Sequence, residues 1–152
     1  MSNFVPPDLP LHARLGMEFV ALGKAIRRAI SRRAVELGLQ DGEWGVLVHL
    51  ARLGEGINQK DLARRLGNEP HSVVRILNNM EKAGHVTRLI DPEDARGRLV
   101  YISDSGRALA EALLVMVEEF EVELFQDHAE AKLRDMLGIM LELREKLSEG
   151  PI

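Results

Sequence analysis

The stretch Asp91–Ser103, DPEDARGRLVYIS, decides the fold. Its first four residues, DPED, suit neither a helix interior nor a strand. Proline lacks the N–H that both need, and short acidic side chains bond back to nearby backbone. ARGR then sets two arginines beside a glycine, and LVYIS alternates as a strand does. Just upstream, HVTRLID (85–91) is a second short segment rich in β-branched residues. With Pro92–Gly97 between them, the two segments predict a β-hairpin carrying Arg96 and Arg98 at its tip.

Two short helices are expected before the hairpin. The first runs over Asn58–Leu66, with Asn58 as its cap and Leu62, Ala63 and Leu66 facing inward; Gly67 stops it. Asn68–Pro70 opens the second. Pro70 suits a first helical position, and Glu69 suits the positive end of the helix dipole. This helix turns Val73, Ile76, Leu77 and Met80 inward and stops at Gly84. A short helix, a tight turn and a second helix outline a helix-turn-helix, and the hairpin makes it a winged helix.

Farther out, Leu15, Phe19, Leu22, Ile26, Ala29 and Ile30 form one stripe of a helix over about His12–Glu36, ended by Gly38. Arg27, Arg28, Arg32 and Arg33 suit the negative end of its dipole. A helix over Asp41–Arg52, capped by Asp41, has Trp44, Leu47, Val48 and Leu50 on its apolar side, and GEG (54–56) breaks it. Ser103 is the expected cap of a helix over Asp104–Gln126, striped by Leu109, Leu113, Val117, Phe120 and Leu124. A last helix over Ala129–Leu147 carries Leu133, Met136, Leu137, Met140, Leu143 and Leu147. Residues 1–10 hold three of the six prolines and read as an extended arm. The terminal helices present more apolar surface than a small winged helix covers, which predicts a homodimer.

Composition narrows the function. The 152 residues are 45% hydrophobic and 29% charged, and no apolar run approaches a membrane span. The N-terminus has no basic and apolar leader, so a cytoplasmic protein is expected. Cysteine is absent, which removes disulfides, thiolate catalysis and cysteine metal sites. HExxH, GxSxG and Gly-rich phosphate loops are also missing, so no enzyme and no cofactor are expected. The net charge is −4 but unevenly spread. Asn58–Arg98 has eight basic and six acidic residues; Leu99–Ile152 has five and twelve. A mildly basic middle is the footprint of a polyanion-binding surface.

The sequence resembles the MarR family of transcription regulators over nearly its whole length. DARGRLVYISDSGRAL carries Asp94, Arg96, Arg98, Val100, Ile102, Ser103, Gly106 and Arg107 in places that match the family's wing and following helix. NQKDLARRLGNEPHSVVRILNNMEKAGHVTR resembles its helix-turn-helix, including Leu62, Ala63, Arg75, Met80, Glu81, Gly84 and Arg88. Two wing positions depart: Ala95 stands where an arginine is common and Gly97 where alanine is. The departures predict a more flexible tip with one contact fewer. Asp41 and Gly42 replace the usual residues before Trp44, a change of cap.

The resemblance implies a mainly α protein with a small β-hairpin wing. Residues 1–36 are the arm and a dimerisation helix, 37–103 the winged helix-turn-helix that binds double-stranded DNA, and 104–152 further dimerisation helices. Arg96 is expected in or beside the minor groove, whose negative potential attracts arginine. Asp94 is expected to orient the Arg96 or Arg98 guanidinium. On the recognition helix, Arg75 is a candidate for guanine and His71 and Ser72 for bases or phosphates; Val73 or Val74 is a candidate for a thymine methyl, with at least one of the two in the core, and Asn78 and Asn79 for phosphates or solvated surface. Lys60, Arg64 and Arg65 are phosphate candidates. The resemblance also implies a repressor on a pseudo-palindromic operator, released by a small aromatic or phenolic ligand near Leu15, Phe19, Trp44 and His49. The alternative is a zinc-responsive regulator that assembles His and Glu ligands across helices.

Overall fold

In a computed structural model, the described residues are 8–40 and 42–148. Most of the expected arm and the proposed cap Asp41 lie outside them. The order of elements is α1 (Leu11–Ala34) with a 3-10 turn at Val35–Leu37, α2 (Glu43–Leu53), β1 (Ile57–Asn58), α3 (Gln59–Leu66), α4 (Pro70–Lys82), β2 (Val86–Ile90), β3 (Arg98–Ile102), α5 (Asp104–Phe125) and α6 (Glu130–Ser148). The three strands are antiparallel in the order β1-β3-β2. Val86 faces Ile102 across the hairpin and Ile90 faces Arg98. The strand β1 was not expected from sequence: two residues are too few for any periodicity, and they are fixed by pairing Ile57 with Val100. No helix among the described residues is long and apolar enough to cross a membrane.

The chain divides into two compact units, Met1–Met116 and Val117–Ile152, with the boundary inside α5. The core of the first unit is made by short elements. Leu47 and Leu50 of α2, Leu62 and Ala63 of α3, Val73, Leu77 and Met80 of α4, and Val86 and Val100 of the hairpin are almost wholly buried. Val46, outside the stripe expected for α2, is buried with them. These side chains are non-directional in their attraction, so the register of the elements needs polar ties as well.

One tie joins the hairpin to α5. Ser103 caps α5 as expected: its Oγ accepts from Gly106 N at 3.0 Å, and its carbonyl accepts from Arg107 N at 3.0 Å. The Ser105 hydroxyl donates to the Gly84 carbonyl at 2.6 Å, so the first turn of α5 sits on the end of α4. The approach is so close that a Cβ on Gly106 would lie 2.1 Å from the His85 carbonyl oxygen. Glu55 adds a second tie. Its carboxylate accepts from Ile102 N at 2.9 Å and pairs with the Arg107 guanidinium at 2.7 Å.

The long helices leave apolar surface uncovered, each within its own unit. On α1 only Ile30 and Ala34 are buried, while Leu15, Phe19 and Leu22 of its stripe are exposed. In the second unit α6 buries no residue, and Leu137, Ile139 and Leu143 are exposed.

Gly106→Ala is expected to destabilise the protein by about 1–3 kcal/mol, because backbone rather than a yielding side chain blocks the new methyl. Urea unfolding checks this: a midpoint equal to wild type would mean that the α5 turn does not sit on His85.

Candidate nucleic-acid interface

The first helix of the helix-turn-helix is set by Asn58, whose Oδ1 accepts from Lys60 N at 3.0 Å. Gly67 ends it in the left-handed conformation, and Asn68 N donates back to the Ala63 carbonyl at 3.0 Å. The chain is then free to turn, and Pro70 starts α4. Burial of Val73, Ile76, Leu77 and Met80 fixes the rotation of α4 and thereby exposes His71, Arg75, Asn78 and Asn79. Ser72 and Val74 lie half-buried at the flanks. Of the two valines, Val73 is the core residue, with only 1% of it accessible, so its place among the DNA contacts is corrected, while Val74 keeps part of its surface.

Asn78 has a partner within the protein. Arg88, on β2, donates to Asn78 Oδ1 at 2.8 Å, to Gln59 Oε1 at 3.3 Å and to Glu81 Oε2 at 2.5 Å. One guanidinium thus ties β2 to α3 and α4. Its contact with Glu81 is the main reason that the Glu81 carboxyl is held below its ordinary 4.5. Strand alternation could have found this residue: Arg88 shares a face with buried Val86, so its charge needs partners from the helices.

The wing tip closes on itself. The Asp94 carboxylate accepts from Arg96 N at 2.9 Å, the local bond of an acidic turn residue. It does not hold a guanidinium, which corrects the sequence expectation. Arg98 instead donates to the carbonyls of Gly97 at 2.8 Å and Ala95 at 3.3 Å. That leaves the exposed Arg96 with no side-chain partner among the described residues.

Gly97 also departs from expectation. It is buried, and a Cβ there would stand 2.8 Å from Asn58 Nδ2, 3.0 Å from Asp91 Cβ and 3.1 Å from the Asp94 carbonyl oxygen. Its N–H donates to that same Asp94 oxygen at 2.7 Å. The glycine allows a tight turn rather than a loose one. Asn58 Nδ2 donates to Asp91 Oδ2 at 3.1 Å, which anchors the wing base to the α3 cap. The Asp91 carboxyl is lowered from its ordinary 3.8, first by the Glu93 N–H and then by Asn58.

The α3 candidates differ among themselves. Lys60 and Arg65 are exposed, whereas Arg64 pairs with Asp61 one turn away. Such an exposed pair is weak and open to exchange. Within one protomer, the expected ligand-pocket residues Leu15 and Phe19 lie far from Trp44. Trp44 Nε1 donates to Ser31 Oγ at 2.9 Å, with Arg27 6.0 Å over its ring. Leu15 lies about 24 Å along α1 from Ser31, and Phe19 about 18 Å. His49 Nδ1 is engaged by the Gly45 carbonyl at 2.8 Å. Nor is there support for zinc: no group of three His, Asp or Glu among the described residues could hold a metal ion. His12, His49 and His71 sit on three different helices, and His85 and His128 in two separate loops.

Residues 37–97 match the MarR family. Solved structures share the fold over most of the chain. The transcriptional regulator PA3341 superposes with a TM-score of 0.83 at 25% identity, covering 90% of this chain and 99% of its own. CouR from Rhodococcus jostii RHA1, bound to p-coumaroyl-CoA, gives 0.76 at 24% identity, covering 90% and 95%. MepR of S. aureus, in complex with DNA, gives 0.76 at 20% identity, covering 88% and 97%.

Removing the Arg88 guanidinium (Arg88→Leu) is expected to cost about 1–3 kcal/mol, since it strips donors from three acceptors. Acid acts on the same brace. The folded pKa of Glu81 is depressed, so its stabilisation is fully present above the unfolded value of 4.5 and is lost as pH falls through the lower folded value. In unfolding measured from pH 6 downward, Glu81→Gln should lose stability less steeply than wild type. Parallel acid limbs would remove Glu81 from the brace.

Proposed function

We propose, from a chain whose residues 37–97 match the MarR family and whose fold is shared by solved transcriptional regulators, that this protein is a homodimeric DNA-binding repressor of the cytoplasm. The observation that carries the reading is the division of labour between its polar side chains. Arg88, Asp94 and Arg98 are engaged within the fold, while His71, Arg75 and Arg96 stand exposed on α4 and the wing tip of the same unit.

In this reading α4 enters the major groove by its N-terminal end, where Arg75 reads guanine and His71 and Ser72 meet bases or phosphates. Arg96 enters the minor groove from the wing. Lys60, Arg65 and, after exchange from Asp61, Arg64 contact phosphates; Asn79 does so from the next turn of α4. Asn78 serves the Arg88 brace first. The exposed stripes of α1 and α6 support a homodimer, which a pseudo-palindromic operator requires. A small aromatic or phenolic ligand that binds the DNA-free form better would release the operator. That CouR, which shares the fold, is bound to p-coumaroyl-CoA supports a ligand site in this reading.

Selection from a pool of random duplexes at low salt is expected to recover an inverted repeat with half-sites ~10 base pairs apart or somewhat more. Arg96→Ala should bind the selected duplex about tenfold more weakly, the loss of one groove contact per protomer. No enrichment by wild type, with and without added aromatic acids, would overturn the reading. The dimer has its own check: Phe19→Glu should shift sedimentation toward the 17.0 kDa monomer and weaken duplex binding with it.

A further inference from the structure

We infer that a cleft on the first unit, between the end of α2, the end of β3 and the first turns of α5, binds small organic cations with a short apolar body. The cleft has a volume of about 340 Å³, inside the range of small-molecule sites. Its floor is apolar: Leu50, Ile102 and Ala110 are buried there, and Leu114 is half-buried. Its walls carry three charges, Glu55, Arg107 and Glu111. Arg107 is neutralised by Glu55 at 2.7 Å, whereas Glu111 has no ion-pair partner among the described residues. The walls therefore hold one net negative charge beside a greasy floor. A carboxylate would meet repulsion, and an ammonium on a short apolar stem would meet attraction.

The site also has a connection to the wing. The carboxylate that holds Arg107 takes the N–H of Ile102 with its other oxygen, at 2.9 Å. Ile102 is the last residue of β3, the strand that leads from the wing tip, and β1 lies beside it. A ligand ammonium between Glu55 and Glu111 competes with Arg107 and draws Glu55 from the Ile102 amide. The end of β3 then loses a charge-assisted bond. An effect on DNA affinity rests on the DNA-binding reading above; occupancy of the cleft does not.

The test is an amide NMR titration of the full chain without DNA, using benzylammonium, benzyl alcohol and benzoate at matched ionic strength. Benzylammonium is expected to shift the Ile102 amide and to saturate in the millimolar range, as suits ~8 non-hydrogen atoms. Benzyl alcohol should bind more weakly and benzoate least. Glu111→Gln, an exposed change outside the proposed DNA surface, should weaken benzylammonium about threefold or more while the fold's spectrum is kept. Benzoate binding as well as benzylammonium, an Ile102 amide unmoved at saturation, or unchanged affinity in Glu111→Gln would each overturn the proposal. Because no duplex is present, failure here leaves the DNA-binding reading standing. Failure to select an operator would likewise leave the cleft's occupancy intact.

Discussion

The amide of Asn58 joins the two halves of the proposed DNA-reading surface. Its oxygen caps α3 and its nitrogen holds Asp91 at the wing base, with Gly97 pressed against it. A hydrophobic core can bring helix and hairpin together but does not choose among near-equal offsets, because apolar attraction has no direction. Hydrogen bonds choose. Arg88 performs the same service from β2, with three acceptors on α3 and α4. A reading surface that must match two grooves at once needs this rigidity more than it needs net stability.

Most of the fold was legible in the sequence because its elements have strong punctuation. Asn58, Gly67, Pro70 and Ser103 stand at the helix ends predicted for them, and the inward faces of α3 and α4 follow from spacing alone. What escaped was long-range. β1 exists only through its partner strand. The burial of Val46 depends on neighbours from other elements, as does that of Gly97. Sequence placed Val73 among base contacts and also on the inward face; the core claims it.

The side chains of the candidate surface were legible as types, not as states. A reader of DARGR sees an aspartate and two arginines and pairs them. The geometry pairs Asp94 with a backbone N–H and Arg98 with two carbonyls, since local backbone bonds form at lower entropic cost than the pairing of long flexible side chains. Residues that resemble a family's binding set thus separate into those that build the surface and those left exposed on it. That distinction needs coordinates.

The bare face of α6 has a consequence for how such a protein counts its own copies. A helix of 19 residues that fully buries no side chain gains little from intrinsic propensity in water. On the homodimer reading its order comes from association, so folding and assembly share one mass-action law. The operator-competent species then scales with the square of protomer concentration wherever monomers predominate. When a cell grows and divides faster than it makes the protein, halving the protomers removes three quarters of the dimers, and a promoter so controlled would open sharply instead of fading.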